Sequence, residues 1–203
     1  MSKTLVIVGA TGSQGRAVIK YFQSQEPSWS IRGLTRNPTS ESAVTIAKSG
    51  VDVVKADLDD VESLKGAFSS ANYIFAYTDF GGIVQSPEVI GKFQAGELAA
   101  PIGAEAYRIE VQHGKNIADA AASIPELERL VWSALPGVRR LSKGRYERVF
   151  HFDAKADAFE YMMGIESLQG KASAIHLGAF MTNAITGLDL FKLRKVVAQS
   201  SLH

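Results

Sequence analysis

The run Leu5-Val6-Ile7-Val8-Gly9-Ala10-Thr11-Gly12-Ser13-Gln14-Gly15 decides how the rest of the chain is read. Four apolar, mostly β-branched residues predict a buried strand. The GxxGxxG spacing after them leads into residues 13–25, where Ala17, Val18, Ile19 and Phe22 recur at roughly helical spacing until Pro27. Glycine between a strand and a helix lets the backbone turn tightly and approach a pyrophosphate, whose charge meets the free N–H groups of the helix start. Glycine-rich turns also serve as plain connections. Here the strand before and the helix after favour dinucleotide binding.

Outward from that run the same rhythm repeats. Ser30 to Thr35, Val51 to Val54, Tyr73 to Ala76, Leu130 to Ser133 and Ala174 to Leu177 predict five further strands. Helical segments are expected at 41–49, within 57–70, and at 106–123 and 151–163. Alternation of this kind makes an α/β domain, a doubly wound parallel sheet with helices on both faces. The stretch from Thr78 to about Glu105 is rich in glycine and proline and predicts a long loop, a candidate lid. The expected domain spans residues 1–183, with 184–203 as a shortened C-terminal tail.

Composition removes several classes of function. The 203 residues are 46% hydrophobic and 21% charged, which suits one globular domain with a small appendage. Twenty-two basic against 21 acidic residues leave +1, no excess with which to grip a nucleic-acid backbone. Cysteine is absent, so disulfides, thiolate zinc sites and a cysteine nucleophile are excluded together. No apolar run approaches the ~20 residues of a membrane span. The start enters a strand without the longer apolar region of a signal peptide. A cytoplasmic location with no membrane partner is therefore expected. His113, His151, His176 and His203 show no metal-ligand spacing, so no metal site is expected.

The ends of the later strands supply the remaining candidates. Thr35-Arg36-Asn37 closes strand two. An acidic residue there would bind the NAD 2′-hydroxyl, whereas Arg36 suits the NADP 2′-phosphate, about 20 residues past the glycines. Asp57-Leu58 lies where a carboxylate or its backbone receives the adenine amino group, and a helix N-cap accounts for Asp57 equally well. Thr78-Asp79-Phe80 follows strand four at the carboxyl edge, where ligands bind in open α/β sheets. His151 and Lys155 stand at i, i+4 on one helix face. In dehydrogenases with a Tyr-x-x-x-Lys pair, the lysine binds the nicotinamide ribose and lowers the tyrosine pKa. His151 stands in the tyrosine's place, either transferring protons or simply packing. Arg139, Arg140, Lys143, Arg145 and Arg148 form a basic cluster, usually solvated surface but able to meet an anionic partner.

With these residues in view, the chain resembles the NmrA-like family of atypical short-chain dehydrogenase/reductases from Lys3 to about Asn183. The motifs are GATGSQG, LTRNP, ADLDD, VQHGKNIADAA and, most diagnostic, LVWSALPGVRRLSKGRYERVFHFDAKADAFEYM. The resemblance implies a Rossmann-like fold. It also implies NADP(H) held by Gly9, Ala10, Thr11, Gly12, Ser13, Gln14 and Gly15, by Arg36, Asp57 and Leu58, and by Thr78, Asp79 and Phe80. Lys115, Lys155 and the segment Phe180, Met181, Thr182 and Asn183 complete the implied set. Members of the family commonly keep the lysine and lack the tyrosine, as Lys155 and His151 do. Family members also continue well past the sixth strand, so an incomplete second lobe is expected here.

Two functions compete. One is an NADP-dependent oxidoreductase acting on a small carbonyl-type substrate, with Lys155 orienting the ribose and His151 or water supplying the proton. The other is a non-catalytic sensor that binds NADP(H) and reports its redox state to a partner protein such as a transcription factor, in cytoplasm or nucleus. Such a sensor requires a partner that binds the two cofactor states unequally.

Overall fold

The computed structural model describes residues 2–178. The expected Phe180–Asn183 segment and the tail 184–203 lie outside the described residues. Six parallel strands form one sheet: β1 (Thr4–Val8), β2 (Ser30–Thr35), β3 (Asp52–Lys55), β4 (Tyr73–Ala76), β5 (Arg129–Ala134) and β6 (Ala172–His176). Their order across the sheet is β3-β2-β1-β4-β5-β6. The order reverses between β1 and β4, so connections leave in opposite directions there and open a crevice at the carboxyl edge. Register is explicit at that seam: Ile7 lies beside Phe75, and on β4's other side Ala76 lies beside Trp132.

The four inner strands β2, β1, β4 and β5 are largely buried on both faces, as their apolar runs require, while the edge strand β6 is mostly exposed. On one face Leu5, Ile7, Ile31 and Phe75 pack under α1 (Ser13–Gln25) and α2 (Glu41–Lys48). On the other, Val6, Val8, Ile74, Leu130 and Trp132 pack with Ile117 and Met162. That second face is covered by α3 (Val61–Phe68) and by two helices introduced below.

The stretch 78–105 corrects the sequence expectation: it is not a long loop. It contains α4 (Phe80–Val84), α5 (Pro87–Gln94) and the first turn of α6 (Ile102–Ala122). Local capping outweighs the glycines. Asp79 accepts from Gly82 N at 3.0 Å, and Ser86 from Val89 N at 3.3 Å, with Pro87 at the first helical position. Lys92 reaches back to Glu88 at 2.6 Å, one turn away. Between β5 and β6 come α7 (Val138–Leu141) and α8 (Phe150–Gly164).

Helices α6 and α8 approach closely because Gly114 carries no side chain. A Cβ there would lie 2.4 Å from the Ala158 Cβ. Gly66 in α3 is the opposite case, since a Cβ there meets nothing within 4 Å. Gly114→Val is therefore expected to cost about 3 kcal/mol through overpacking, while Gly66→Ala gains roughly 0.5–1 kcal/mol from helix propensity and unfolded-state entropy. Urea unfolding of the two variants against wild type checks both signs.

Candidate functional site

The crevice begins with the turn after β1. Gly9 takes a positive φ of 76° and accepts from Gly12 N at 3.0 Å. Gly15 is required by contact with the turn itself, because a Cβ there would lie 2.4 Å from Gly9 O. Helix α1 starts at Ser13 without a side-chain cap, so its first N–H groups are left for solvent or an anion.

A cavity of about 430 Å³ opens above this turn. Its floor is Gly9, Thr11 and Gly12. Arg36 closes one side, Asp57 and Leu58 another, and Asp79 with Gly82 and Ile83 of α4 a third. Seven of the expected residues thus meet around one space. Arg36 is exposed and has no hydrogen bond or ion pair among the described residues. Ala10 is buried beneath the turn, while Ser13, Gln14 and Gly15 begin α1. A larger depression of about 620 Å³, between Trp29, Ser49 and Asp52, lies at the amino edge, away from every strand end that carries chemistry.

The loop after β3 is pinned from α6. His113 Nε2 lies 2.9 Å from Asp59 Oδ1, and Asn116 Nδ2 donates to Leu58 O at 2.7 Å. The N-cap of α3 is Asp60, whose carboxylate accepts from Glu62 N and Ser63 N. Asp57 instead accepts from Asp59 N at 3.1 Å within the loop, so the N-cap account of Asp57 is corrected.

Lys155 lies deeper. Its ammonium donates to Thr78 O at 2.5 Å, Thr78 Oγ1 at 3.0 Å and Glu110 Oε1 at 2.6 Å. Thr78 Oγ1 also donates to Glu110 Oε1 at 2.7 Å. The lysine side chain is 13% exposed and the glutamate 0%. Glu110 Oε2 has no partner among the described residues, so it is a buried acceptor in want of a donor.

His151, one turn before Lys155, is exposed, with its ring 5.7 Å from that of Phe80 and 4.7 Å from that of Phe152. Partial burial moves its pKa below the ordinary histidine value, assisted by the nearby Lys155 charge and opposed by Glu110. That direction favours the neutral imidazole near pH 7, with the charged, proton-donating form growing as the pH falls.

Lys115 is not brought to the cavity. Its ammonium stands 5.2 Å from the centre of the Tyr161 ring on α8. The basic cluster is partly neutralised: Arg139 pairs with Asp157 at 3.0 Å and Arg140 with Glu160 at 2.8 Å.

Sequence reading misses Tyr77, Glu110, His113 and Asn116. Glu110 left a signal, because it interrupts a small and apolar stripe of Ala106, Gly114, Ile117 and Ala121 at helical spacing.

An open parallel sheet with an anion-ready helix start and a cavity at its switch point defines a Rossmann-like α/β protein. The NmrA-like family model matches residues 1–199, and the chain belongs to the NmrA-like family. It is 31% identical over 145 residues to the NmrA-like family domain-containing oxidoreductase FrzB of Cladobotryum sp., covering 71% of this chain and 38% of that protein. Among solved structures it resembles NmrA, a negative transcriptional regulator, with a TM-score of 0.64 at 20% identity, over 90% of this chain and 48% of that one. NmrA has been solved with NAD and with NADP. The NADP(H) complex of the triphenylmethane reductase of Citrobacter sp. matches with a TM-score of 0.62 at 16% identity, over 88% and 50% of the two chains. The chain thus spans about two fifths to half the length of these proteins.

Breaking the buried pair separates its members' roles in stability. Glu110→Leu leaves the Lys155 ammonium without its carboxylate and is expected to cost about 3 kcal/mol. Adding Lys155→Met should return most of that loss, as read by denaturant midpoints of the two variants.

Proposed function

We propose that the chain binds NADP(H) and is an NADP-dependent oxidoreductase acting on a small carbonyl-type substrate. The observation that carries this reading is Arg36. A guanidinium with no hydrogen bond or ion pair among the described residues opens onto the same cavity as Gly9 and Gly12, and such a group suits a 2′-phosphate. Four carboxylates, Asp57, Asp59, Asp79 and Glu88, line the rest of that cavity. The extra phosphate is thus favourable only beside Arg36. The α1 N–H groups would hold the pyrophosphate, Asp57 and Leu58 the adenine, and Thr78, Asp79 and Phe80 the turn toward the nicotinamide. Lys155 would orient the nicotinamide ribose.

When bound, the reduced nicotinamide supplies hydride to the carbonyl carbon. The chain's part is to bring a proton to the carbonyl oxygen, from His151 or from a water that it orders. His151 favours its neutral form near pH 7, and the charged form grows as the pH falls below its ordinary value of 6.5. NADPH loss with a panel of carbonyl compounds should therefore rise as the pH is lowered past that value. His151→Phe should flatten the rise, and a panel with no turnover at any pH sinks the enzymatic reading.

A second reading is favoured by one observation. All three N–H groups of Lys155 are used by Thr78 and Glu110, an arrangement suited to binding a cofactor without turning it over. This is the sensor, whose partner protein would distinguish NADP from NADPH. Identical pull-downs with either form, or with neither, count against it. Among the described residues no helix is long and apolar enough to cross a membrane.

Both readings need the cofactor. Titration with NADPH and NADH is expected to show preference for NADPH. Arg36→Glu should weaken NADPH binding about thirtyfold or more, the worth of a charge-assisted contact of about 2 kcal/mol, and strengthen NADH, whose 2′-hydroxyl a carboxylate there can accept from.

A further inference from the structure

Strand β4 carries an aromatic row on the α1 side. Tyr73 stacks on Trp29 with centroids 4.6 Å apart, Phe75 follows, and Tyr77 lies 6.4 Å beyond Phe75. Side chains alternate along a strand, so the third ring of this row overhangs the carboxyl edge. It comes to rest on the glycine turn. The Tyr77 hydroxyl donates to Gly9 O at 3.1 Å. A Cβ on Gly12 would lie 1.8 Å from the Tyr77 hydroxyl oxygen, and one on Gly9 2.5 Å from its ring Cε1. A side chain at either glycine would thus meet the Tyr77 ring where it now rests. The space their missing side chains leave, which elsewhere admits a pyrophosphate, is filled by a phenol.

We propose that Tyr77 sets the dinucleotide affinity of this chain by occupying the phosphate notch between Gly9 and Gly12, so that a bound pyrophosphate displaces it. The inference rests on the proposed cofactor binding and goes further, to the residue that limits it. No atom fits between Gly12 and the hydroxyl. A phosphate seated against the turn therefore excludes the phenol. What holds the ring is one neutral hydrogen bond and its packing, so displacement lowers affinity without abolishing it. Adenosine, which has no phosphate, fills only the Arg36 and Asp57 side of the cavity and leaves the ring alone.

Titration of the folded chain with NADPH and with adenosine tests this in wild type, Tyr77→Phe and Tyr77→Val. Losing the hydrogen bond to Gly9 O should tighten NADPH about fivefold in Tyr77→Phe. Emptying the notch should tighten it about tenfold or more in Tyr77→Val. Adenosine affinity should not change. In 3-fluorotyrosine-labelled protein, the ¹⁹F resonance missing from Tyr77→Phe should shift with NADPH and stay in place with adenosine. Equal NADPH affinities, a weaker Tyr77→Val that still melts cooperatively, or a resonance unmoved by NADPH overturns the inference alone. Absence of NADPH binding in all three proteins overturns the cofactor reading, and this inference with it.

Discussion

The buried contact of Lys155 with Glu110 and Thr78 joins three elements at the carboxyl edge: α8, α6 and the end of β4. Taking a carboxylate and an ammonium out of water costs several kcal/mol per ion. That cost is offset only when donors and acceptors are matched closely; the three donors of Lys155 are, at 2.5–3.0 Å, while Glu110 Oε2 has no partner among the described residues. Trp132 Nε1 adds a tie to Lys155 O at 2.9 Å, fixing α8 to β5. The register of β4 sets all of this. Thr78 faces α6 and α8, and its neighbour Tyr77 faces the glycine turn. A slip of one residue would exchange them, placing a phenol against the ammonium and a hydroxyl over the turn.

Much of the fold is legible because each pattern has one geometric reading. Alternating β-branched runs between helical segments permit few arrangements other than a covered parallel sheet. The short edge elements are less exact. Strand β3 begins one residue later than its apolar run suggests, and β6 two residues earlier, since edge strands are bounded by pairing as much as by burial. In residues 78–105 two signals conflict. Glycine and proline argue for loop, while Asp79, Ser86-Pro87 and the Glu88–Lys92 pair argue for helix starts. Capping wins because it satisfies N–H groups that a glycine-rich loop would leave to water.

The site divides along the same line. Gly9, Gly12, Arg36, Asp57 and Asp79 are readable because they directly follow strands, and strand ends gather at one edge whatever the helices do. The groups from α6 depend on how that helix is rotated, which no local pattern states. His113 and Lys115 illustrate it. Two residues along a helix turn the side chain by roughly 200°, so one that faces Asp59 obliges the other to face away, and Lys115 meets Tyr161 on α8 instead. A family likeness transfers residue types, but the rotation of α6 decides which of them reach the cavity.

The two residues after β4 therefore connect the two halves of the proposed site. A pyrophosphate on the turn would move Tyr77 off Gly9 O. A ribose hydroxyl reaching Lys155 would take the place of its longest contact, the 3.0 Å bond to Thr78 Oγ1. Thr78 Oγ1 would keep its bond to Glu110 at 2.7 Å, so the exchange would cost the carboxylate no partner. Tyr77 and Thr78 are adjacent along one backbone, so a displacement of the first that moved its peptide would reach the second. Enzyme and sensor make different use of that linkage. The enzyme would need that one contact of the lysine exchanged each time cofactor binds, whereas the sensor would need only a backbone shift, carried into α4 through Asp79, its N-cap.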